Sequence, residues 1–171
     1  LRQRFGKEYV VLVHLHPNVA NIEGGMVYDA TTVINSTFYP DTQELIAVSS
    51  MLIGDYSSIN YDFSLKRLPV FRYVSDLEEY RNDRDLYFPF DEYPYPYARN
   101  NDELEALILG FDEELYLKKL NAFFEKIGAI TNPHSSVKMT CLIVDFLHKK
   151  SKSGFFQKNK EKFIYKGEML Q

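Results

Sequence analysis

His16 leaves the apolar run Tyr9-Val10-Val11-Leu12-Val13 and stands directly before Pro17. An imidazole titrates near neutral pH, so there it suits a general acid or base, or a cation bonded to a phosphate oxygen. A strand-end histidine satisfied by backbone groups is the plainer account of the same residue. Asp55-Tyr56-Ser57-Ser58 joins a second apolar run, Met51-Leu52-Ile53-Gly54, to a segment with helical spacing. A serine hydroxyl beside the free N–H groups of a helix start suits a phosphate or pyrophosphate. Simple capping of the helix by serine needs no ligand and competes with that reading. The tetrad lacks the glycines and lysine of a P-loop. Asp41 and Asp62 are further acids near helix starts or inner faces, and Asp62, one turn after Ser58, is placed to steady the serine loop. Capping and solvation account equally well for both. His14 shares a strand face with His16. With Asp29 or Asp55 the pair falls short of a metal site, because no further ligand has suitable spacing, and none is expected.

The elements that must position these residues can be read from periodicity and punctuation. Strands are expected over Tyr9–Val13, Met26–Tyr28, Met51–Gly54 and Pro69–Val74. A loop or short helix fills Asn18 to Gly25. A helix opens at Pro40-Asp41 with Leu45, Ile46 and Val48 on its apolar side. Another runs from Ile59 to Arg67, with Phe63 and Leu65 or Lys66 one turn on. The Pro- and Tyr-dense stretch Tyr87–Tyr97 reads as an ordered surface loop. Helices capped by Asn101 or Asp102, over Phe111–Ile127, and capped by Ser135 or Ser136 complete the pattern. Strands alternating with helices argue for an α/β, Rossmann-like parallel sheet flanked by helices. Ligands of such sheets bind outside the carboxyl ends of the strands. Both polar exits, after Val13 and after Gly54, are expected on that edge.

Composition narrows the classes. The 171 residues carry a net charge of −4, which gives no overall reason to expect a nucleic-acid partner. Cys141 stands alone, so neither an internal disulfide nor a cysteine metal site can form. No apolar run approaches the roughly 20 residues of a spanning helix. Beyond His148 the composition turns to Lys, Ser, Gly and Phe, and we divide the sequence into a domain over 1–149 and a basic, aromatic tail over 150–171. Such a tail suits an anionic membrane surface, or is a flexible charged terminus. The sequence opens on Leu1 rather than Met, from which a fragment of a longer protein is expected.

Several short motifs occur together and in order: His16-Pro17-Asn18, Tyr39-Pro40-Asp41 with Glu44-Leu45, Leu52-Ile53-Gly54-Asp55-Tyr56-Ser57-Ser58, and Asp62-Phe63 with Pro69-Val70-Phe71. Downstream come Asp76 with Tyr80, Tyr87-Phe88, and Asn101 with Glu103-Leu104. Over roughly Tyr9 to Ser136 the set resembles the C-terminal part of the CDP-glycerol glycerophosphotransferases, the teichoic acid glycerol-phosphate primase and polymerase family.

That resemblance implies the C-terminal half of a two-domain GT-B fold, with the donor nucleotide held mainly by this half. It implies that His16 matches the functionally important histidine of the family's His-Pro motif, and that Ser57 and Ser58 lie at the donor pyrophosphate, with Asp55, Asp41 and Asp62 nearby. The partners implied are CDP-glycerol or a related CDP-polyol, a polymer or lipid-linked acceptor, and a missing N-terminal domain carrying the family's second histidine. Without that domain the fragment is expected to be inactive. No cofactor is implied, and the enzyme is expected in the cytoplasm, peripheral to the inner face of the membrane. Ser50, where the family usually has an acid, and Asn132-Pro133-His134, in place of a glycine-rich turn, point to a capsule-type relative. A nucleotide-sugar glycosyltransferase and a non-catalytic nucleotide-binding module are the alternatives.

Overall fold

A computed structural model describes residues 1–16, 27–29, 31–84, 86–129 and 134–150. The chain divides into two compact units, Leu1–Ala129 and Ile130–Gln171. In the first, a short helix α1 (Arg2–Phe5) leads to β1 (Val11–Val13), β2 (Val33–Asn35), α2 (Thr42–Val48), β3 (Leu52–Gly54), α3 (Ile59–Ser64), β4 (Val70–Tyr73), α4 (Leu77–Asp83), β5 (Tyr97–Ala98), α5 (Asn101–Leu109) and α6 (Glu113–Ile127).

Among the described residues the three strand pairings are parallel, as the alternation of strands and helices leads one to expect. They form two hydrogen-bonded sheets among the described residues: β1 beside β2, and β3-β4-β5 with β4 in the middle. The two polar strand exits therefore leave from different sheets. In the second sheet Gly54 lies opposite Arg72, and Arg72 lies opposite Tyr97.

The second strand is Val33–Asn35, not Met26–Tyr28. The run Thr31-Thr32-Val33-Ile34 is β-branched throughout and fits a pleated ladder, whereas Val27 is 84% exposed; Met26 and the segment Asn18–Gly25 lie outside the described residues. Ahead of this strand the Asp29 carboxylate accepts bonds from the backbone N–H and hydroxyl groups of Thr31 and Thr32, which hold its pKa far below the ordinary carboxylate value.

The core surrounds β4. Val70, Phe71 and Val74 are fully buried, and Phe63 of α3, Ile108 of α5, and Tyr116, Leu120 and Phe123 of α6 close over the sheet. Of the expected apolar side of α2 only Ile46 is buried; Val48, two residues on and so on the far side of the helix, is exposed, as is Leu65 just beyond α3. Lys66, just beyond α3, ties that end to α2 by donating through Nζ to the carbonyls of Ile46, Ala47 and Ser49 at the C-terminal end of α2.

The Pro- and Tyr-dense stretch is surface at Tyr87, which is 95% exposed, but turns into the core further on. Phe90, Pro94 and Tyr95 are buried, and its last residue, Tyr97, enters β5. The cap of α5 is Asn100, whose side chain accepts from the Glu103 backbone N–H at 2.9 Å, in place of Asn101 or Asp102. The Glu103 carboxylate reaches back to Asn100 Nδ2 and the Arg99 N–H, a reciprocal arrangement that satisfies donors at the helix start.

The described part of the second unit is α7 (Ser135–Lys150). The Lys138 N–H bonds to the His134 carbonyl, so Ser135 and Ser136 lie inside the first turn rather than capping it. Residues 151–171, most of the expected tail, lie outside the described residues. Among the described residues no helix is long and apolar enough to cross a membrane.

Candidate functional site

The Asp55–Ser58 turn is built around one carbonyl. Where β3 ends at Gly54, the Asp55 carbonyl oxygen accepts from Asn60 Nδ2 at 3.0 Å and from Arg72 Nε at 3.1 Å. The Asp55 carboxylate accepts from the Ser57 N–H at 2.8 Å, and Ser57 Oγ accepts from the Ile59 N–H at 3.4 Å. Ser58 occupies the cap position of α3 yet makes no capping bond, and it is exposed. Its hydroxyl is thus not committed to the helix. Gly54 is required by contact: a Cβ there would stand 2.4 Å from Asn60 Oδ1. Asn60 is 2% exposed, and its Oδ1 is the buried side-chain polar atom left without a hydrogen-bond partner among the described residues.

Arg72 is the central charge of this region. It sits mid-way along the central strand and is 3% exposed. Burying a cation is costly unless a carboxylate or several acceptors compensate. Among the described residues Arg72 has no ion-pair partner, and the bond to the Asp55 carbonyl is its one side-chain hydrogen bond. Aromatic faces take the place of a counter-ion: its guanidinium carbon lies 4.1 Å from the Phe90 ring centre, 4.9 Å from Tyr93 and 5.8 Å from Tyr56. Burial pulls the Arg72 pKa below its ordinary value, while the surrounding tyrosines act to raise it.

A cavity of about 150 Å³ opens beside Arg72, walled by Tyr56, Ser57, Ser58, Asn60, Tyr61 and Tyr80 among others. Tyr56 and Tyr80 stack at 3.6 Å along one side, and Tyr56 donates its hydroxyl to Asp76. Burial raises the phenol pKa of Tyr56, with the Asp76 carboxylate adding to the shift; burial and a bond to Tyr93 do the same for Tyr61. Tyr56 and Tyr61 are therefore uncharged phenols at physiological pH, in a wall that also holds the Arg72 cation. A larger cavity of about 450 Å³ shares the rings of Tyr93 and Tyr95 and extends between the Tyr93–Tyr97 stretch and α6, away from the serine turn.

The remaining expected residues are distributed as follows. His16 is exposed just beyond β1, in the other sheet. His14 is structural in its contacts: Nδ1 meets the Ser36 carbonyl at 2.8 Å and Nε2 the Thr42 hydroxyl at 3.4 Å, tying β1 to β2 and α2. Asp41 caps α2, accepting from the N–H groups of Gln43 and Glu44. Asp62 is exposed and forms no side-chain hydrogen bond among the described residues, so none ties it to the serine loop; Asp55, Asn60 and Arg72 are bonded there. Sequence reasoning passed over Asn60 and Arg72, and met Tyr80 only as part of a motif with Asp76. The available signal was Arg72 itself, a charge in the middle of the otherwise apolar run Val70–Val74.

Comparison with known proteins fits this geometry. The model of the family described as CDP-glycerol:poly(glycerophosphate) glycerophosphotransferase matches residues 1–145. The teichoic acid ribitol-phosphate primase of Bacillus spizizenii is 32% identical over 142 residues, covering 82% of this chain and 36% of the relative. The teichoic acid poly(glycerol phosphate) polymerase of Bacillus subtilis is 35% identical over 149 residues, covering 81% of this chain and 19% of the relative. The chain thus spans about a third or less of the length of these relatives. The structure of the wall teichoic acid polymerase TagF superimposes with a TM-score of 0.67 at 24% identity, over 89% of this chain and 38% of that one. The shared architecture is parallel sheet flanked by helices, of the GT-B type. The chain belongs to the CDP-glycerol:poly(glycerophosphate) glycerophosphotransferase family.

Proposed function

We propose that this chain is the donor-nucleotide half of an enzyme that transfers a polyol phosphate from CDP-glycerol, or a related CDP-polyol, to a teichoic acid or capsular polymer. The observation that carries the reading is the family match across residues 1–145, which includes both polar strand exits. The serine turn supports it, since Ser58 holds an uncommitted hydroxyl beside a helix start and a buried cation stands behind.

In this reading the acceptor hydroxyl attacks the donor β-phosphorus. A new P–O bond to the acceptor forms, the P–O bond to CMP breaks, and the hydroxyl proton passes to a base on the N-terminal domain. Fixed donors at Ser57 and Ser58 offset charge on the pyrophosphate oxygens, a positioning and electrostatic role. Asp55 shapes that turn through the Ser57 N–H. His16 binds the phosphate or protonates the departing CMP. Asp41 and Asp62 contribute near the site without a contact to the turn.

Calorimetry on the chain tests the donor assignment. CDP-glycerol and CMP should bind detectably and weakly. Stronger binding of the matched uridine or guanosine nucleotide would defeat it in favour of a nucleotide-sugar transferase. For the tail, residues 151–171, lysines interleaved with aromatics support a membrane-facing role. Its deletion should lower sedimentation with anionic liposomes and leave nucleotide binding unchanged; unaltered sedimentation would remove the membrane from the reading.

A further inference from the structure

We propose that Arg72 is the anchor of a phosphate-ester subsite, in which the small tyrosine-walled cavity behind the Ser57-Ser58 turn takes one phosphate group together with its short polyol. The inference deepens the reading above and names a residue that the serine turn does not include.

Four observations carry it. First, Arg72 is a cation placed in the centre of a sheet, where apolar side chains are the rule, and it is 3% exposed. Second, no carboxylate among the described residues neutralises it, and its Nε bond to the Asp55 carbonyl leaves the rest of the guanidinium fork without a protein acceptor. A planar fork of N–H donors is the side chain best matched to two oxygens of a phosphate. Third, the Arg72 cavity holds about 150 Å³, the scale of a pocket that accepts one small ring, so a nucleotide is too large and a single phosphate ester with a three- to five-carbon polyol is commensurate. Fourth, the wall supplies the complementary polar groups. Ser57, Ser58 and Asn60 line the cavity, and Tyr61, Tyr80 and Tyr87 add phenols. A ligand offering anionic oxygens to Arg72 and hydroxyls to the serine and phenol oxygens matches this lining.

Purely structural use of Arg72 is disfavoured by the same facts. Its structural bond, from Nε to the Asp55 carbonyl, uses one donor and leaves Nη1 and Nη2 without a protein hydrogen bond among the described residues. A strand residue serving only the fold would not leave its donors facing a cavity.

The phosphate could belong to the donor's transferred unit or to the end of the acceptor, and the probes separate the two. Glycerol 3-phosphate, CMP, CDP-glycerol and inorganic phosphate are titrated against the chain and against Arg72→Met, with ³¹P NMR and the thermal midpoint as readouts. Glycerol 3-phosphate should bind the wild-type chain and raise its midpoint, and Arg72→Met should weaken this binding on the order of 10-fold or more. Competition by CDP-glycerol assigns the subsite to the donor's polyol phosphate; simultaneous binding assigns it to the acceptor end. Undiminished binding by Arg72→Met, or no binding of any phosphate ester by the wild-type chain, would overturn the proposal. If Arg72→Met does not fold, Tyr87→Glu decides: Tyr87 lines the same cavity and is 95% exposed, so a carboxylate there spares the core. Weaker phosphate-ester binding by that variant supports the subsite, and unchanged binding rejects it. Failure of cytidine nucleotides to bind, with glycerol 3-phosphate still held through Arg72, would sink the donor reading and leave the subsite standing.

Discussion

Arg72 Nε donates to the carbonyl oxygen of Asp55 at 3.1 Å, and this one bond ties the middle of the central strand to the turn at the end of its neighbour. The register makes it short: Arg72 lies opposite Gly54, so its side chain reaches the first residue beyond β3. Asn60 bonds the same carbonyl from the first turn of α3. Strand, turn and helix are thereby locked at a single oxygen, and the predictions below test that lock and its surroundings.

Gly54→Ala should break it. The added Cβ falls 2.4 Å from Asn60 Oδ1, and Asn60 is too buried to swing away freely. Overpacking of this kind costs about 1–3 kcal/mol. Urea midpoints should show that loss, and the double variant with Asn60→Ala should lose less than the two singles combined. Additive losses would place the cost of Gly54→Ala elsewhere.

Asp41 and Ser58 occupy equivalent helix-start positions with different duties. Asp41 accepts two backbone N–H bonds, whereas Ser58 accepts none. Asp41→Ala should therefore destabilise by about 1 kcal/mol, and Ser58→Ala should stay within about 0.5 kcal/mol of the parent. Donor affinity should respond in the opposite order, falling for Ser58→Ala. A Ser58→Ala chain that loses stability and binds normally would return this serine to ordinary capping.

His16→Ala, in the full-length enzyme, should leave the fold intact because the side chain is exposed. If His16 acts in the transition state, kcat falls together with kcat/KM, on the order of 10²-fold or more. A rise in KM alone would mean that it only holds the ground-state phosphate. Near-normal turnover would make it a strand-end residue.

Alkaline pH should destabilise the chain through its buried and half-buried phenols. Burial raises the pKa of Tyr56, Tyr61 and Tyr116 above the ordinary 10.0. The unfolded chain then ionises first, so the contribution of these groups is complete below pH about 10 and is lost as pH climbs through the folded values. Tyrosinate absorbance and loss of native structure should rise together. Ionisation of these residues at their ordinary pKa in a chain that remains folded would contradict the assignment.

Much of this protein was legible in its residues. Apolar runs punctuated by Gly and Pro gave β1, β3 and β4, the spacing of Tyr116, Leu120 and Phe123 gave α6, and the order of short motifs over residues 9–136 gave the family. These signals are local: period, punctuation and motif order survive in one dimension. Residues 31–35, 77–83 and 97–98 were missed because each element is short and its stability comes from neighbours brought in by the fold. The Pro- and Tyr-rich stretch read as surface because its composition is that of a loop, yet Phe90 and Tyr95 pack into the core. The site divides in the same way. Ser57, Ser58 and His16 stand at strand exits that the sequence marks, and Asp41 at a helix start. The meeting of Asn60, Arg72 and the tyrosines around the Asp55 carbonyl depends on which strands lie side by side. Parallel neighbours are joined through long crossovers, so their register, and with it the burial of Arg72, is set by packing across the sheet rather than by any run of adjacent residues.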